Sequence, residues 1–231
     1  MAGGQDWLDV GCGTGALTES ILDHANPNMV TGVDPSAGFV EYTKARVTSR
    51  RATVDVADAQ SLPFERGAFD VAVAGLVLNF VAEPRLAAAE MARVVRSGGV
   101  VAAYVWDYAG KMELMRYFWD AAVALDPAAR DLDEGRRFPL CQPKPLTELF
   151  AQAGLADVEV QPFDIPTDFV DFDDYWRPFL GGQGPAPGYA MSLDEARRGA
   201  LRELLRALLP VTKNGALHLV ARAWAVRGRA P

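Results

Sequence analysis

The chain has 231 residues, half of them hydrophobic and 23% charged, which is typical of a soluble globular protein. This length is sufficient for one α/β domain with a sizeable core. The formal net charge of −7 argues against a nucleic-acid partner, because phosphate contacts need clustered Lys and Arg. No stretch approaches the roughly 20 uninterrupted apolar residues of a membrane helix, so no membrane span is expected.

Cysteine usage and the N-terminal sequence bear on localisation. Cys12 and Cys141 are far apart and match no metal-binding or disulfide pattern. The first residues have neither the basic nor the apolar segment of an export signal. We therefore expect a cytoplasmic protein without a metal site. The oligomeric state is left open, and a homodimer is one arrangement that the sequence allows.

Short β-branched runs alternate with helical patterns through the first two-thirds of the chain, which predicts a mostly parallel sheet. The predicted strands in this part are residues 7–10, 29–33, 53–56, 69–74 and 100–105. The predicted helices between them are residues 16–23, 37–48 and 84–95. Ser97-Gly98-Gly99 is the expected stop signal of the third helix.

The pattern changes after the fifth strand. We predict two insertions, at residues 108–143 and 162–192, that form a lid on a single domain spanning residues 1–231. The first insertion is expected to hold one helix, at residues 112–125, and the second a Gly/Pro loop at residues 181–188. The remaining predicted elements are a helix at 145–153, a strand at 156–161, a Leu-rich helix started by the capping-box pair Ser192 and Glu195, and a strand at 217–226.

The strongest motif is the glycine-rich turn that follows the first predicted strand. Gly11, Gly13 and Gly15 alternate with other residues, and Asp9 lies two positions before the first of them. Glycines allow a tight turn and the close approach of a ligand, and the helix that follows offers free N–H groups. With Ala16 in third place, the spacing also satisfies the dinucleotide-binding pattern G-x-G-x-x-G/A.

A second motif ends the second predicted strand. Asp34, followed by Pro35, lies about 20 residues after the glycine turn, where nucleotide-binding proteins place a ribose-binding acid. A carboxylate at this position can accept hydrogen bonds from both ribose hydroxyls. Enzymes that bind NAD use the same device, so Asp34 indicates a nucleoside ligand without specifying which one.

Two further segments carry a family resemblance. Asp58-Ala59-Gln60-Ser61-Leu62-Pro63-Phe64, followed by Phe69-Asp70, resembles a "DA-x-x-LPF … FD" block. Val94-Val95-Arg96-Ser97-Gly98-Gly99 resembles an "L-x-P-G-G" turn, with Ser97 in place of the usual Pro. Together with the glycine turn and Asp34, these ordered matches resemble class I S-adenosylmethionine-dependent methyltransferases, most nearly those of type 11.

The resemblance implies a Rossmann-like, doubly wound α/β fold with a seven-stranded, mostly parallel sheet whose last strand is antiparallel. It implies S-adenosyl-L-methionine as the cofactor, and methyl transfer to a small-molecule acceptor by direct displacement. The residues implied to bind the cofactor are Asp9, Gly11, Gly13, Gly15, Asp34, Pro35, Asp58 and Ala59. The glycine turn and Asp9 would hold the methionine part, Asp34 the ribose, and Asp58 with Ala59 the adenine.

One feature departs from the family pattern. Family members usually carry helices before their first strand, and these help to cover the cofactor and the acceptor. Here the first predicted strand begins at Trp7, so we expect weaker cofactor retention than in relatives that have such helices.

Acceptor-side residues are expected at the carboxyl ends of the strands, where ligands bind in open α/β sheets. Asn79 is a polar residue in an apolar stretch, and it is a candidate to orient an acceptor or to satisfy a loop backbone. Asp107 follows the fifth strand and is a candidate base or a cap for the next segment. An acid run in the second insertion could favour a cationic acceptor or a metal, but a solvated face is expected; its residues are Asp164, Asp168, Asp171, Asp173 and Asp174. An aromatic set in or near the insertions could line an acceptor pocket, but lid packing is expected for most of it; its residues are Trp106, Tyr108, Trp119, Tyr175, Trp176, Phe179 and Tyr189.

Two alternatives to an active methyltransferase remain open. An NAD(P)-dependent oxidoreductase would share the glycine turn and Asp34, although no Tyr-x-x-x-Lys catalytic pair is present. A non-catalytic protein that binds S-adenosylmethionine would share every cofactor motif. The acceptor and the atom methylated are not specified by the sequence.

Overall fold

The computed structural model describes residues 3–182 and 184–231 and divides the chain into two compact units. The first unit consists of Met1–Val105, Pro143–Gln161 and Trp224–Pro231, and the second of Trp106–Gln142 and Pro162–Ala223. Nearly all of the two predicted insertions falls in the second unit, together with residues 193–223. The prediction of a single domain stays a prediction.

Seven strands form one sheet in the order β3-β2-β1-β4-β5-β7-β6. The strands are β1 (Asp6–Val10), β2 (Met29–Asp34), β3 (Ala52–Val56), β4 (Phe69–Gly75), β5 (Val95–Trp106), β6 (Ala156–Phe169) and β7 (Leu217–Arg229). The pairs β1–β2, β2–β3, β1–β4 and β4–β5 are parallel. Reciprocal hydrogen bonds of Ala230 with Gly98 and Gly99 are those of an antiparallel pair. The predicted fold class is confirmed.

Nine α-helices connect these strands in the described residues. They are α1 (Ala16–His24), α2 (Ala37–Arg46), α3 (Pro84–Val94), α4 (Glu113–Leu125), α5 (Glu134–Arg137), α6 (Pro143–Gln152), α7 (Phe172–Trp176), α8 (Pro185–Ser192) and α9 (Glu195–Leu208). Two 3₁₀ helices cover Pro127–Leu132 and Arg177–Leu180. No helix in the described part of the chain is both long and apolar enough to cross a membrane.

The sheet order places a ligand-binding edge at β1. The chain leaves β1 through α1 toward β2 on one side, and later adds β4 on the other side of β1. The carboxyl ends of β1, β2 and β4 therefore diverge at a topological switch point, where α/β proteins bind ligands. Packing fixes α1 there, because Ile21 lies in one buried cluster with Trp7, Val30 and Val71.

The structure corrects the predicted boundary between α3 and β5. The helix ends at Val94 and the strand starts at Val95, so Ser97-Gly98-Gly99 lies inside the strand and does not terminate the helix. Gly98 has a φ of 77°, and its N–H donates to the Ala230 carbonyl. The glycines allow an irregular backbone where β5 pairs with the last strand. This pairing is long-range, so no local sequence pattern predicts it.

The structure extends two further predictions in the insertions. The strand predicted at residues 156–161 continues to Phe169, so the second insertion begins as extended sheet. The first insertion holds α5 and a 3₁₀ helix in addition to α4.

The predicted Gly/Pro loop and capping box also differ from the structure. Helix α8 begins at Pro185, so only part of the loop predicted at 181–188 is irregular, and its Gln183 lies outside the described residues. Asp194, not Ser192, caps α9, because its side chain accepts from the Arg197 N–H. Proline in the first helical turn and Asp at the cap are favourable, so both starts follow ordinary helix chemistry.

Aromatic side chains form the core of the second unit. Phe118 of α4 stacks on Phe179 with ring centroids 4.5 Å apart, and α9 adds Leu201 and Leu205. Five aromatic residues that sequence analysis places in the insertions are buried here: Trp119, Tyr175, Trp176, Phe179 and Tyr189. These five residues are therefore core residues of the second unit.

Replacing Leu8 tests the role of the central strand. Leu8 of β1 is fully buried, so Leu8→Ala leaves a cavity and is expected to lower the free energy of unfolding by about 2–5 kcal/mol. The matched control is Leu86→Ala on α3, where the side chain is 53% exposed and the expected change is within about 0.5 kcal/mol. Urea unfolding followed by circular dichroism measures both. Equal losses in the two variants would contradict the assigned core.

Candidate functional site

A glycine turn joins β1 to α1 at the carboxyl edge of the sheet. The N–H groups of Gly11 and Cys12 both donate to the Val33 carbonyl, at 2.7 and 3.0 Å. Gly11, Gly13 and Gly15 have φ values of 73°, 52° and 86°, in the left-handed region that favours glycine. The turn is thus fixed to the end of β2, and α1 starts directly after it.

The three glycines differ in what surrounds them. A Cβ on Gly11 would lie 2.5 Å from a Val77 methyl, and one on Gly15 would lie 2.7 Å from the Thr43 methyl. A Cβ on Gly13 would meet nothing within 4 Å. Gly11 and Gly15 are therefore required for protein packing, whereas Gly13 borders open space.

Asp34 ends β2 and holds the turn in place. Its Oδ2 accepts from the Gly13 N–H at 3.0 Å, and its Oδ1 accepts from the Ser36 N–H at 2.9 Å. The residue is only 7% exposed. A carboxylate has about four acceptor positions, so each oxygen retains capacity for another donor.

A cavity of about 440 Å³ lies beside these residues in the first unit. Five of the eight predicted cofactor residues line it: Gly11, Asp34, Pro35, Asp58 and Ala59. Its volume is in the range of small-molecule sites. The structure therefore brings together three motifs that are separated by more than twenty residues each along the chain.

Seven further lining residues are not among the eight residues predicted to bind the cofactor. They are Phe39, Ala57, Gln60, Val77, Phe80, Val81 and Ala82. Phe39 lies in the first turn of α2 and Phe80 in the loop after β4, and both are exposed. Apolar residues at the carboxyl edge of the sheet can indicate a ligand-binding wall, but the same residue types also pack against other parts of the protein.

Asp58 presents an exposed carboxylate at this cavity. It accepts from the Gln60 N–H at 2.9 Å and from the Gln60 side-chain amide at 3.1 Å. These bonds, the backbone one first, hold the pKa of Asp58 below its ordinary value. The side chain is therefore an ionised acceptor at neutral pH.

Asp9 is not on the cavity wall but is fully buried in β1. Its Oδ2 accepts from the Thr18 hydroxyl of α1 at 2.7 Å, whereas its Oδ1 is buried with no hydrogen-bond partner among the described residues. Burial raises the pKa of Asp9 to about 6, and the charge of Asp34 adds to this. At neutral pH the carboxylate is mostly ionised, so a negative charge with one unpaired oxygen lies behind the glycine turn.

Cys12 does not provide a nucleophile in the turn. The side chain is buried, and burial together with the charges of Asp9 and Asp34 raises the pKa of its thiol to about 12. The thiolate is therefore negligible at neutral pH.

The loop after β4 contains Asn79 and a strained residue. Leu76 has a φ of 60°, and its N–H donates to the Tyr104 carbonyl at 2.8 Å. The side-chain nitrogen of Asn79 is buried and lacks a hydrogen-bond partner within the described residues. Strain and unpaired polar groups are typical of functional sites. A role for Asn79 in orienting an acceptor stays a prediction.

Asp107 belongs to the second unit and is part of a turn. Its Oδ2 accepts from the Lys111 N–H at 2.9 Å, and its carbonyl accepts from Gly110 and Met112 at 3.2 and 3.0 Å. These bonds are those of a cap for the next segment. Its role as a base stays a prediction.

The acid run of the second insertion is distributed among ion pairs and caps. Asp164 accepts from Arg222 at 2.6 and 2.9 Å, and Asp173 accepts from Arg202 at 2.6 Å. Asp168 contacts His218 at 2.7 Å, and Asp171 caps α7. Within residues 3–182 and 184–231, no group of His, Cys, Asp and Glu has the arrangement of a metal site.

Comparison with known proteins finds a family match within the first unit. Residues 8–103 match a family model described as a methyltransferase domain. The chain is 35% identical over 95 residues to malonyl-[acyl-carrier protein] O-methyltransferase of Hahella chejuensis, covering 41% of this chain and 34% of that protein. It is 38% identical over 96 residues to demethylmenaquinone methyltransferase of Staphylococcus aureus, covering 41% and 40%. The match thus spans 34–40% of the length of these curated relatives.

A solved structure shows the same fold. Phosphoethanolamine N-methyltransferase 2 of Haemonchus contortus, solved with S-adenosyl-L-methionine, has a TM-score of 0.62 at 17% identity, covering 100% of this chain and 50% of that one. Residues 8–103 thus match the methyltransferase domain family in sequence, and the chain has the fold of class I S-adenosylmethionine-dependent methyltransferases. S-Adenosyl-L-methionine is the cofactor of this class.

The raised pKa of Asp9 predicts a stability effect that depends on pH. Because the pKa rises from an ordinary value of 3.8 to about 6 on folding, the folded state binds this proton more tightly than the unfolded state does. The group therefore contributes stability at low pH that is lost as the pH rises through about 6. The difference corresponds to about 3 kcal/mol, since each tenfold change in acidity is worth about 1.4 kcal/mol.

The comparison variant is Asp9→Asn, which cannot titrate. Between roughly pH 4 and pH 7, the wild type is expected to lose about 2 kcal/mol of unfolding free energy relative to this variant, most of the full effect. Urea unfolding of both proteins at the two pH values measures the difference. Asp34, Cys12 and Tyr104, which interact with Asp9, are present in both proteins. A difference that does not change with pH would show that Asp9 has an ordinary pKa.

Proposed function

We propose that this chain binds S-adenosylmethionine in the cavity of the first unit and transfers its methyl group to a small-molecule acceptor. The observation that carries the proposal is the assembly of Asp34, Asp58 and the glycine turn around one cavity, with the unpaired Asp9 oxygen behind the turn. Each of these features suits a different part of the cofactor.

The nucleoside part of the cofactor matches the cavity wall. Asp34 is held by two backbone N–H groups and retains acceptor capacity for the ribose hydroxyls. Asp58 is an ionised acceptor suited to the adenine amino group, and Ala59 is the adjoining small residue. Phe39 and Phe80 add apolar surface suited to a planar ring.

The amino-acid part of the cofactor matches the glycine turn and Asp9. Gly13 borders open space, so a ligand can approach its backbone without meeting a side chain. The buried Asp9 Oδ1 lacks a donor, and an α-ammonium group would supply both a hydrogen bond and a compensating charge. The carboxylate acceptors of the site therefore suit the cofactor at both ends.

When bound, S-adenosylmethionine supplies a sulfonium methyl that is already activated for transfer. The residues of the chain then have to position the reactants and exclude water. A general base is needed only for an acceptor that is protonated at working pH. Asn79, with its buried unpaired nitrogen, is the residue of the first unit best suited to orient an acceptor.

A small-molecule acceptor is supported by charge and by the relatives. The net charge of −7 disfavours a nucleic acid as substrate. The relatives are named for a malonyl group on acyl-carrier protein, for demethylmenaquinone and for phosphoethanolamine. These acceptors are chemically unlike one another, so the proposal extends to the class of acceptor and not to the atom methylated.

Calorimetric titration with S-adenosylhomocysteine tests the cofactor, with NADH as the parallel ligand. We expect micromolar binding of S-adenosylhomocysteine and none of NADH. Tighter binding of NADH would replace the proposal with the oxidoreductase alternative. Incubation with methyl-labelled S-adenosylmethionine and a panel of carboxylic acids, phenols, quinols and amines then tests turnover. Binding without labelling of any compound would favour the non-catalytic alternative.

Gly13→Ala tests whether the cofactor occupies the open space at the turn. The Cβ would stand in the space that the amino-acid part is proposed to fill, so S-adenosylhomocysteine affinity is expected to fall about tenfold or more. Gly154→Ala is a matched control, because Gly154 also has positive φ and open space around its Cβ but lies after α6. Both variants should lose about 1–2 kcal/mol of stability from backbone strain. Equal affinities in the two variants would place the cofactor elsewhere.

A further inference from the structure

Tyr104 near the end of β5 lies across the neighbouring strand β4. It pairs with Gly75, the last residue of β4. A Cβ on Gly75 would lie 2.6 Å from the Tyr104 hydroxyl oxygen and 2.8 Å from the ring carbon that bears it. Gly75 is not among the glycines with positive φ, so the backbone conformation does not require glycine here. The lack of a side chain instead leaves room for the Tyr104 ring. The glycine allows the phenol to extend over β4 in the direction of β1.

The strand register relates this hydroxyl to Asp9. On β1, Asp9 pairs with Val73 of β4, two residues before Gly75. Side chains alternate along a strand, so Asp9, Val73, Gly75 and Tyr104 lie on the same face of the sheet. Two residues of strand correspond to about 6.6 Å. The Tyr104 hydroxyl is therefore nearer to the carboxyl edge than Asp9 and on the same face of the sheet.

Tyr104 and Asp9 offer a ligand one hydrogen-bond donor and one acceptor. Burial, and then the charge of Asp9, raise the pKa of the Tyr104 phenol above its ordinary value. The hydroxyl is therefore a protonated donor at neutral pH, and no hydrogen bond joins it to another group within the described residues. Asp9 Oδ1 is an unpaired acceptor on the same face.

The backbone at this point is held in one arrangement. The Tyr104 carbonyl accepts from the N–H of Leu76, the residue with a φ of 60° directly after Gly75. A branched residue in the left-handed region costs about 1–3 kcal/mol, and such strain persists where the surroundings fix it. Tyr104 is thus positioned through its backbone as well as through its ring.

We infer that Tyr104 is a positioning residue for the cofactor, whose hydroxyl donates to the α-carboxylate while Asp9 accepts from the α-ammonium group. The inference rests on the proposed function. An amino acid carries an ammonium and a carboxylate group on one carbon, so it can donate to a carboxylate and accept from a hydroxyl at the same time. Neither the glycine turn nor Asp9 alone supplies a side-chain donor for the carboxylate.

Two ligands that differ only in the amino-acid part test this inference. S-Adenosylhomocysteine carries the α-amino-acid group, whereas 5′-methylthioadenosine has the same nucleoside and thioether without it. Tyr104→Phe keeps the ring over Gly75 and removes only the hydroxyl. We expect this variant to bind S-adenosylhomocysteine about tenfold or more weakly, the effect of losing a hydrogen bond to a charged group. Its affinity for 5′-methylthioadenosine should stay within about twofold of the wild type.

Tyr42→Phe is the control, because Tyr42 is exposed on α2. It should change neither affinity. If Tyr104→Phe weakens both ligands equally, or neither, the inference is overturned while the proposed function stands, provided that the wild type binds S-adenosylhomocysteine. If the wild type does not bind S-adenosylhomocysteine, the proposed function and the inference fail together. Calorimetry of the full chain supplies all six affinities.

Discussion

The Asp9 carboxylate lies inside the central strand β1, where Thr18 donates to one of its oxygens and no described residue donates to the other. An ionised group in this position destabilises the protein unless a cation or a donor completes its surroundings. The hydrogen bond from Thr18 ties the first turns of α1 to β1, so the same group also orients the helix whose start forms the glycine turn. The buried charge therefore lowers the stability of the ligand-free protein, and a bound ammonium group would offset this loss.

The remainder of the site is built outward from this point by hydrogen bonds to backbone. Asp34 accepts from the Gly13 N–H of the turn and from the Ser36 N–H at the start of α2, so one carboxylate fixes both walls of the cavity. Gly11 packs directly on Val77 of the loop after β4. These contacts join three segments distant in sequence, and they form only because the strand order reverses at β1.

Features that depend only on residues close together in the chain could be predicted from the sequence. The glycine turn, Asp34 and Asp58 could be predicted because spacing within a few residues determines each of them. Gly98 could not be interpreted correctly, because its role depends on pairing with Ala230 at the other end of the chain.

The cavity wall and the irregular helices show the same limit. Phe80 and Val77 lie on an apolar loop whose composition fits packing and ligand contact equally. Tyr104 requires knowledge that Gly75 is its neighbour across the sheet, which no motif contains. The start of α8 at Pro185 was not predicted, because the surrounding Gly/Pro-rich stretch is typical of a loop. Proline is nevertheless favourable in the first turn of a helix.

Proton release on binding S-adenosylhomocysteine tests most directly whether the buried Asp9 charge receives the cofactor. Near pH 6 about half of the free protein carries a proton on Asp9, and an ammonium group beside it would expel that proton. Calorimetry at pH 6 in buffers of different ionisation enthalpy should show release of about half a proton per ligand for the wild type and none for Asp9→Asn. Equal proton release by the two proteins would show that the cofactor binds without contacting Asp9.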